Sequence, residues 1–208
     1  MPAIRILFLL VGAILGVFYP FVSAILLELG FSPEEIGLTT AIAALAFTIS
    51  VPIFGHFADV VLGRVAALRI AAVGSSVAVL GLLLDVPPVA VALLIVVYAG
   101  FESALAPLSD ALAVNALARA PRAYARTRML TSFGFAGASV LAGLLYNRTG
   151  FAPASVLWAL IAVGIFVVTR WVPDVARYRG AEAAAGRDGI EATTGRDGIE
   201  AAAGRGRT

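Results

Sequence analysis

Val89-Ala90-Val91-Ala92-Leu93-Leu94-Ile95-Val96-Val97-Tyr98-Ala99-Gly100-Phe101 runs without a charge until Glu102, and the apolar character then continues to Leu117. At about 1.5 Å rise per residue, a helix over residues 89–117 is long enough to cross about 30 Å of hydrocarbon. Five further stretches of the same kind accompany it, so spans are expected at about residues 4–27, 35–57, 65–84, 89–117, 129–146 and 153–169. Composition points the same way. Of 208 residues 61% are hydrophobic and 13% charged, and mean hydropathy is +0.97, whereas a soluble domain carries about 25% charged residues. The expected fold class is all-α: a polytopic membrane protein with six transmembrane helices.

Several function classes fall away at this level. There are no cysteines and a single histidine, His56, so disulfide frameworks, thiolate nucleophiles and multi-histidine metal sites are excluded. No cofactor and no metal are expected. A net charge of +2 gives no reason to expect a nucleic-acid partner. A membrane-embedded hydrolase would need a serine–histidine pair or clustered metal ligands. His56 lies at the end of its stretch with no serine near it, so no enzymatic activity is expected. The first stretch is too long for the apolar core of a signal peptide and lacks a small-x-small cleavage site, so it is expected to stay in the mature chain.

Punctuation separates the stretches. Ser32-Pro33-Glu34-Glu35 has an N-cap serine, proline at the first helical position and a glutamate to complete a capping box. Asp85-Val86-Pro87-Pro88 breaks the third stretch from the fourth, and Asn147-Arg148-Thr149-Gly150 reads as a turn after the fifth. Arginine sets the orientation, since cytoplasmic loops hold the basic excess. Outside the last stretch of chain, ten arginines (Arg5, Arg64, Arg69, Arg119, Arg122, Arg126, Arg128, Arg170, Arg177 and Arg179) fall on one side, against Arg148 on the other. Both termini are therefore expected to be cytoplasmic, with the protein in the cell membrane. Residues 1–179 form the transmembrane domain in this reading. Residues 180–208 are a separate cytoplasmic tail, in which Gly186 through Thr194 recurs nearly unchanged as Gly195 through Ala203. With so little apolar content the tail is expected to be disordered, and slippage of repetitive coding sequence is the plainest origin of its nine-residue repeat.

Chemistry is concentrated in the fourth stretch. An ionisable residue at a helix centre costs about 2.5–3.5 kcal/mol on insertion scales, so one that is retained there is a functional candidate by default. Glu102 falls near the expected midplane. Asp110 lies about 12 Å further along and about 80° around, so the two are expected to share a polar face. Both are candidate substrate- or proton-binding groups. The structural alternative is a protonated carboxyl hydrogen-bonded to a neighbouring helix. Pro107 between them removes a backbone hydrogen bond and is expected to kink the helix. Gly12 and Gly16 in the first stretch, and Gly134, Gly137 and Gly143 in the fifth, permit close helix approach and by themselves imply packing only.

Gly55-His56-Phe57-Ala58-Asp59-Val60-Val61-Leu62-Gly63-Arg64 resembles the loop signature G-x-x-x-D-R-x-G-R of the major facilitator superfamily, with one residue too many between Asp59 and Gly63 and no arginine after the aspartate. Gly16 through Phe21 with Leu29 through Leu38, and Pro107 through Leu112 with Tyr124 through Arg128 and Gly134-Phe135, resemble the phenylpropionate, oligosaccharide and nucleoside proton-symporter branch of that superfamily. The fourth stretch has no internal arginine and the fifth no proline, unlike drug-efflux members. The resemblance implies one six-helix half of a major-facilitator-type bundle and secondary transport of a small organic solute with protons as the coupling ion. It also implies a gating loop at Gly55, Asp59, Gly63 and Arg64 whose charges contact the other half. A second six-helix half or a homodimer would then complete the transporter, within the lipid bilayer. A truncated or split product, or a non-transporting scaffold, are the alternatives.

Overall fold

The structure, a computed structural model, describes residues 2–117 and 120–172. The tail at 180–208 with its repeat, together with Arg119, Arg177 and Arg179, lies outside the described residues. Among the described residues every regular element is helical: α1 (Pro2–Phe18), α2 (Val22–Glu28), α3 (Pro33–Phe57), α4 (Arg64–Gly81), α5 (Pro88–Glu102), α6 (Leu105–Ala116), α7 (Pro121–Thr149) and α8 (Ala152–Val168). They make six helices long and apolar enough to cross a bilayer: Pro2–Glu28, Pro33–Leu62, Arg64–Gly81, Pro88–Ala116, Arg122–Thr149 and Ala152–Trp171. The chain has the all-α, six-span architecture of a polytopic membrane protein.

Two spans are broken at prolines. In the first, α1 passes through a 3₁₀ turn at Tyr19-Pro20-Phe21 before α2 continues it. In the fourth, the interruption is not at Pro107 itself but at Ser103-Ala104, between α5 and α6. Proline removes the hydrogen bond to the carbonyl four residues back, and here that carbonyl belongs to Ser103. The Ser103 hydroxyl meanwhile donates to the Gly100 carbonyl at 2.7 Å. α3 starts on a capping box. The Glu35 amide donates to Ser32 Oγ at 3.3 Å, and the Ser32 amide donates to the Glu35 carboxylate at 2.8 Å. Gly150, at φ 71°, ends α7 in a conformation few other residues adopt. α7 begins well before the apolar stretch from which it was expected. Arg122, Arg126 and Arg128 are thus helical residues rather than loop residues.

The first span packs against the fifth and sixth, the third against the fourth and sixth, and the second against the fourth. The first–fifth contact is made backbone to backbone. A Cβ on Gly12 would meet the Thr131 carbonyl, one on Gly16 the Phe135 carbonyl, and one on Gly134 the Leu9 carbonyl. Ser139 donates to the Gly16 carbonyl at 3.1 Å and Tyr146 to that of Val17 at 2.7 Å, which ties the same pair further along. Trp158 of the sixth span donates from Nε1 to Ser75 Oγ of the third at 3.2 Å. Arg69 reaches across at the end of that pair to Thr169 Oγ1 at 2.9 Å, with its guanidinium over the Phe166 ring. The second and fifth spans remain as exposed flanks, 11% and 17% buried against 44% for the first and fourth.

Candidate functional site

The rings of Phe18, Tyr98 and Trp158 stack edge-on at centroid separations of 4.9 to 5.7 Å, joining the first, fourth and sixth spans into one apolar wall. In front of that wall lies a cavity of about 440 Å³, formed by the first, second and fourth spans. Glu102 lines it, only 7% exposed. Tyr98, one helical turn before Glu102, lies on the same face, and its buried hydroxyl has no hydrogen-bond partner among the described residues. Tyr19 enters from the 3₁₀ turn at Pro20, and Ser23 from α2. The second span contributes Thr40, Ala44 and Thr48, spaced at four residues and hence on one face. Glu102 is the one acidic group in this lining, no arginine enters it, and no hydrogen bond to the Glu102 carboxyl is present among the described residues.

The hydroxyls of this lining are unequal. Thr40 Oγ1 donates to the Ile36 carbonyl at 2.8 Å, and Thr48 Oγ1 to that of Ala44 at 2.8 Å. Their protons are committed to the helix, so toward the cavity they offer acceptor lone pairs. Tyr19, Ser23 and Tyr98 add hydroxyls that can donate as well as accept.

Asp110 is elsewhere. Glu102 and Asp110, expected on one polar face, line different cavities, with the helix interrupted between them at Ser103-Ala104. Asp110 lines a second cavity, of about 260 Å³, with Phe8, Ser109, Arg128 and Thr131. Its carboxylate is 3.6 Å from Arg128 Nη2 and accepts from the Tyr124 hydroxyl at 3.3 Å. Arg128 in turn donates to the Tyr124 oxygen at 3.3 Å. Ser109 Oγ is buried beside this group without a partner among the described residues.

The expected gating loop is a third location. Ala58–Leu62 forms a single π-helical turn between α3 and α4. Gly63, at φ 82° and ψ 153°, then closes the connection. The Arg64 guanidinium bonds the Asp59 carboxylate at 2.9 Å and donates to the Ala111 carbonyl of α6 at 3.3 Å. Gly55, Asp59 and Arg64 line a shallow cavity with Pro107 and Ala111. No group of metal-ligating side chains occurs among the described residues.

Sequence reasoning missed Tyr19, Ser23, Thr40, Thr48 and Tyr98. The spacing of Tyr98 to Glu102, and of Thr40 to Thr48, was a readable signal of shared faces. Which face turned toward which helix was not readable. The family model described as the MFS_1 like family matches residues 2–197. No curated protein and no solved structure matches the chain.

Proposed function

The chain belongs to the MFS_1 like family, and so to the major-facilitator transporters of the membrane; from that premise we propose that it moves a small organic solute by proton symport, with Glu102 as the proton-carrying group. The observation that carries this reading is a buried, unpaired carboxyl in a cavity otherwise lined by hydroxyl, aromatic and aliphatic groups. Protonated, Glu102 is neutral and can donate a hydrogen bond; deprotonated, it only accepts. A solute that binds one form better links its own affinity to that of the proton, and the linkage is reciprocal. A hydroxyl-bearing lining without a basic residue suits an uncharged solute with hydrogen-bonding groups, such as a hydroxylated ring, and does not suit an anion.

In this reading the chain lies in the cell membrane with both termini cytoplasmic. Asp110, held by Arg128 and Tyr124, is the second candidate for coupling. The loop of Gly55, Asp59, Gly63 and Arg64 gates the cytoplasmic side. A second six-helix half, or a second copy, closes the cavity along the exposed second span. The resemblance to the proton-symporter branch supports symport over antiport.

The test is transport in proteoliposomes containing the pH dye pyranine, with a panel of neutral labelled solutes. For any solute that the parent accumulates, Glu102→Gln is expected to abolish accumulation driven by a proton gradient and the accompanying acidification. Gradient-free exchange and folding are expected to survive, because glutamine keeps the shape and a donor. Undiminished accumulation by Glu102→Gln would remove the coupling role from this residue and pass it to Asp110.

A further inference from the structure

Where the first and fifth spans begin, Arg5 of α1 and Arg122 and Arg126 of α7 converge on one cavity of about 560 Å³, completed by Ala120 and Ala123. No acidic side chain lines it among the described residues. None of the three arginines is ion-paired among the described residues, in contrast to Arg64 with Asp59 and Arg128 with Asp110. Orientation in the membrane requires arginines on this side, but it does not require three of them, from two helices, around one hollow.

Their placement on the helices is also the unfavourable one. The N-terminal turn of a helix carries partial positive charge and free amides, which favour an acid or an anion. The first turns of α1 and α7 contain no acidic residue, and α7 has no side-chain cap. Arg5 and Arg122, the fourth and second residues of their helices, thus bring like charge to two positive helix ends, with Arg126 one turn further along, an arrangement that an anion would stabilise.

The faces leading away from the cavity indicate which anion. Arg122, Arg126, Met129 and Phe133 succeed one another at spacings of four, three and four, so they form one stripe along α7. Met129 and Phe133 are 56% and 65% exposed. On α1, Arg5 and Leu9 stand in the same relation, with Leu9 42% exposed. The stripe passes from guanidinium to exposed apolar side chain over about one turn on α1 and about three on α7, which is the order of chemistry in a phospholipid from headgroup to acyl chain. A soluble phosphate would find no use for the apolar half. We propose that this cavity is a binding site for an anionic phospholipid, its phosphate held by Arg5, Arg122 and Arg126 and its acyl chain lying along Met129, Phe133 and Leu9. A lipid seated there bridges the glycine-packed first and fifth spans at their open end.

Native mass spectrometry of the full chain released from detergent, titrated with phosphatidylglycerol or phosphatidylcholine, tests the assignment. The parent is expected to retain phosphatidylglycerol preferentially. A basic residue near a membrane surface contributes about a fivefold change in affinity toward anionic lipid. Single Arg5→Gln, Arg122→Gln and Arg126→Gln variants should each weaken retention by about that factor, and the triple variant by on the order of a hundredfold. Arg148→Gln, which removes the same charge at the other end of the fifth span, should leave retention unchanged. Circular dichroism checks that each variant is folded, and the single variants keep the test decisive if the triple variant is not. Equal retention of both lipids by the parent, or equal loss with Arg148→Gln, would overturn the proposal. So would inorganic phosphate displacing phosphatidylglycerol at equal concentration, since the site would then recognise phosphate without lipid.

Discussion

Gly12, Gly16 and Gly134 show how much can rest on a missing Cβ. At each of them the atom that a Cβ would strike is a carbonyl oxygen of the opposing span, and backbone cannot swing aside as a side-chain tip can. Gly137 lies on the same fifth span with open space where its Cβ would be. The pair gives a controlled comparison. Gly12→Leu forces the first and fifth spans apart and is expected to lower stability by at least about 1–3 kcal/mol, the range for overpacking in a tight interior. Gly137→Ala should be neutral or slightly stabilising, since alanine is the better helix former. Thermal unfolding in detergent, followed by circular dichroism, distinguishes them; equal melting temperatures would mean that the close contact contributes nothing.

The connection between α3 and α4 is the element in which local geometry and proposed gating meet. The π turn at Ala58–Leu62 brings Asp59 and Arg64 within bonding distance despite the additional residue between them. The Asp59 side chain is 57% exposed, so solvent can replace Arg64 as its partner. Asp59→Asn is therefore expected to change the stability of the chain by less than about 1 kcal/mol, the usual value of an exposed ion pair. Arg64→Ala should cost more, because it also removes the donor to the Ala111 carbonyl and so the tie between this connection and α6. Unfolding of both variants in a denaturing detergent gradient measures the order. If Asp59→Asn unfolded the chain, the carboxylate would be structural and its gating role would fall.

At the scale of the whole molecule, the proposed orientation can be tested with little disturbance, because the chain has no cysteine of its own. Asp85→Cys lies in the connection between the third and fourth spans, and Arg170→Cys in the last turn of the sixth. With ten arginines against one setting the topology, a membrane-impermeant maleimide applied to intact cells should label Asp85→Cys. Arg170→Cys should be labelled only after permeabilisation. The reverse pattern would invert the orientation, and labelling of both in intact cells would change the number of spans.

The spans, the capping box at Ser32 and the fold class were legible in the sequence, because they depend on local properties: apolar length against bilayer thickness, and side chains that bond their own backbone within a few residues. Glu102 was legible for the same reason, since a carboxyl inside an apolar run stands out wherever the run ends up. Its neighbours were not. Tyr19, Thr40 and Thr48 come to Glu102 only through the rotation of each helix about its axis, and that rotation is set by contacts such as Gly12 against Thr131, far away in sequence. The placement of Asp110 in a different cavity from Glu102 was likewise hidden, because it depends on which neighbours pack beside each residue. Arginine counts indicated a side of the membrane; only the approach of α1 to α7 gathered Arg5, Arg122 and Arg126 around one hollow. Local chemistry is written along the chain, whereas convergence depends on which helix faces pack, and many residues share in setting that.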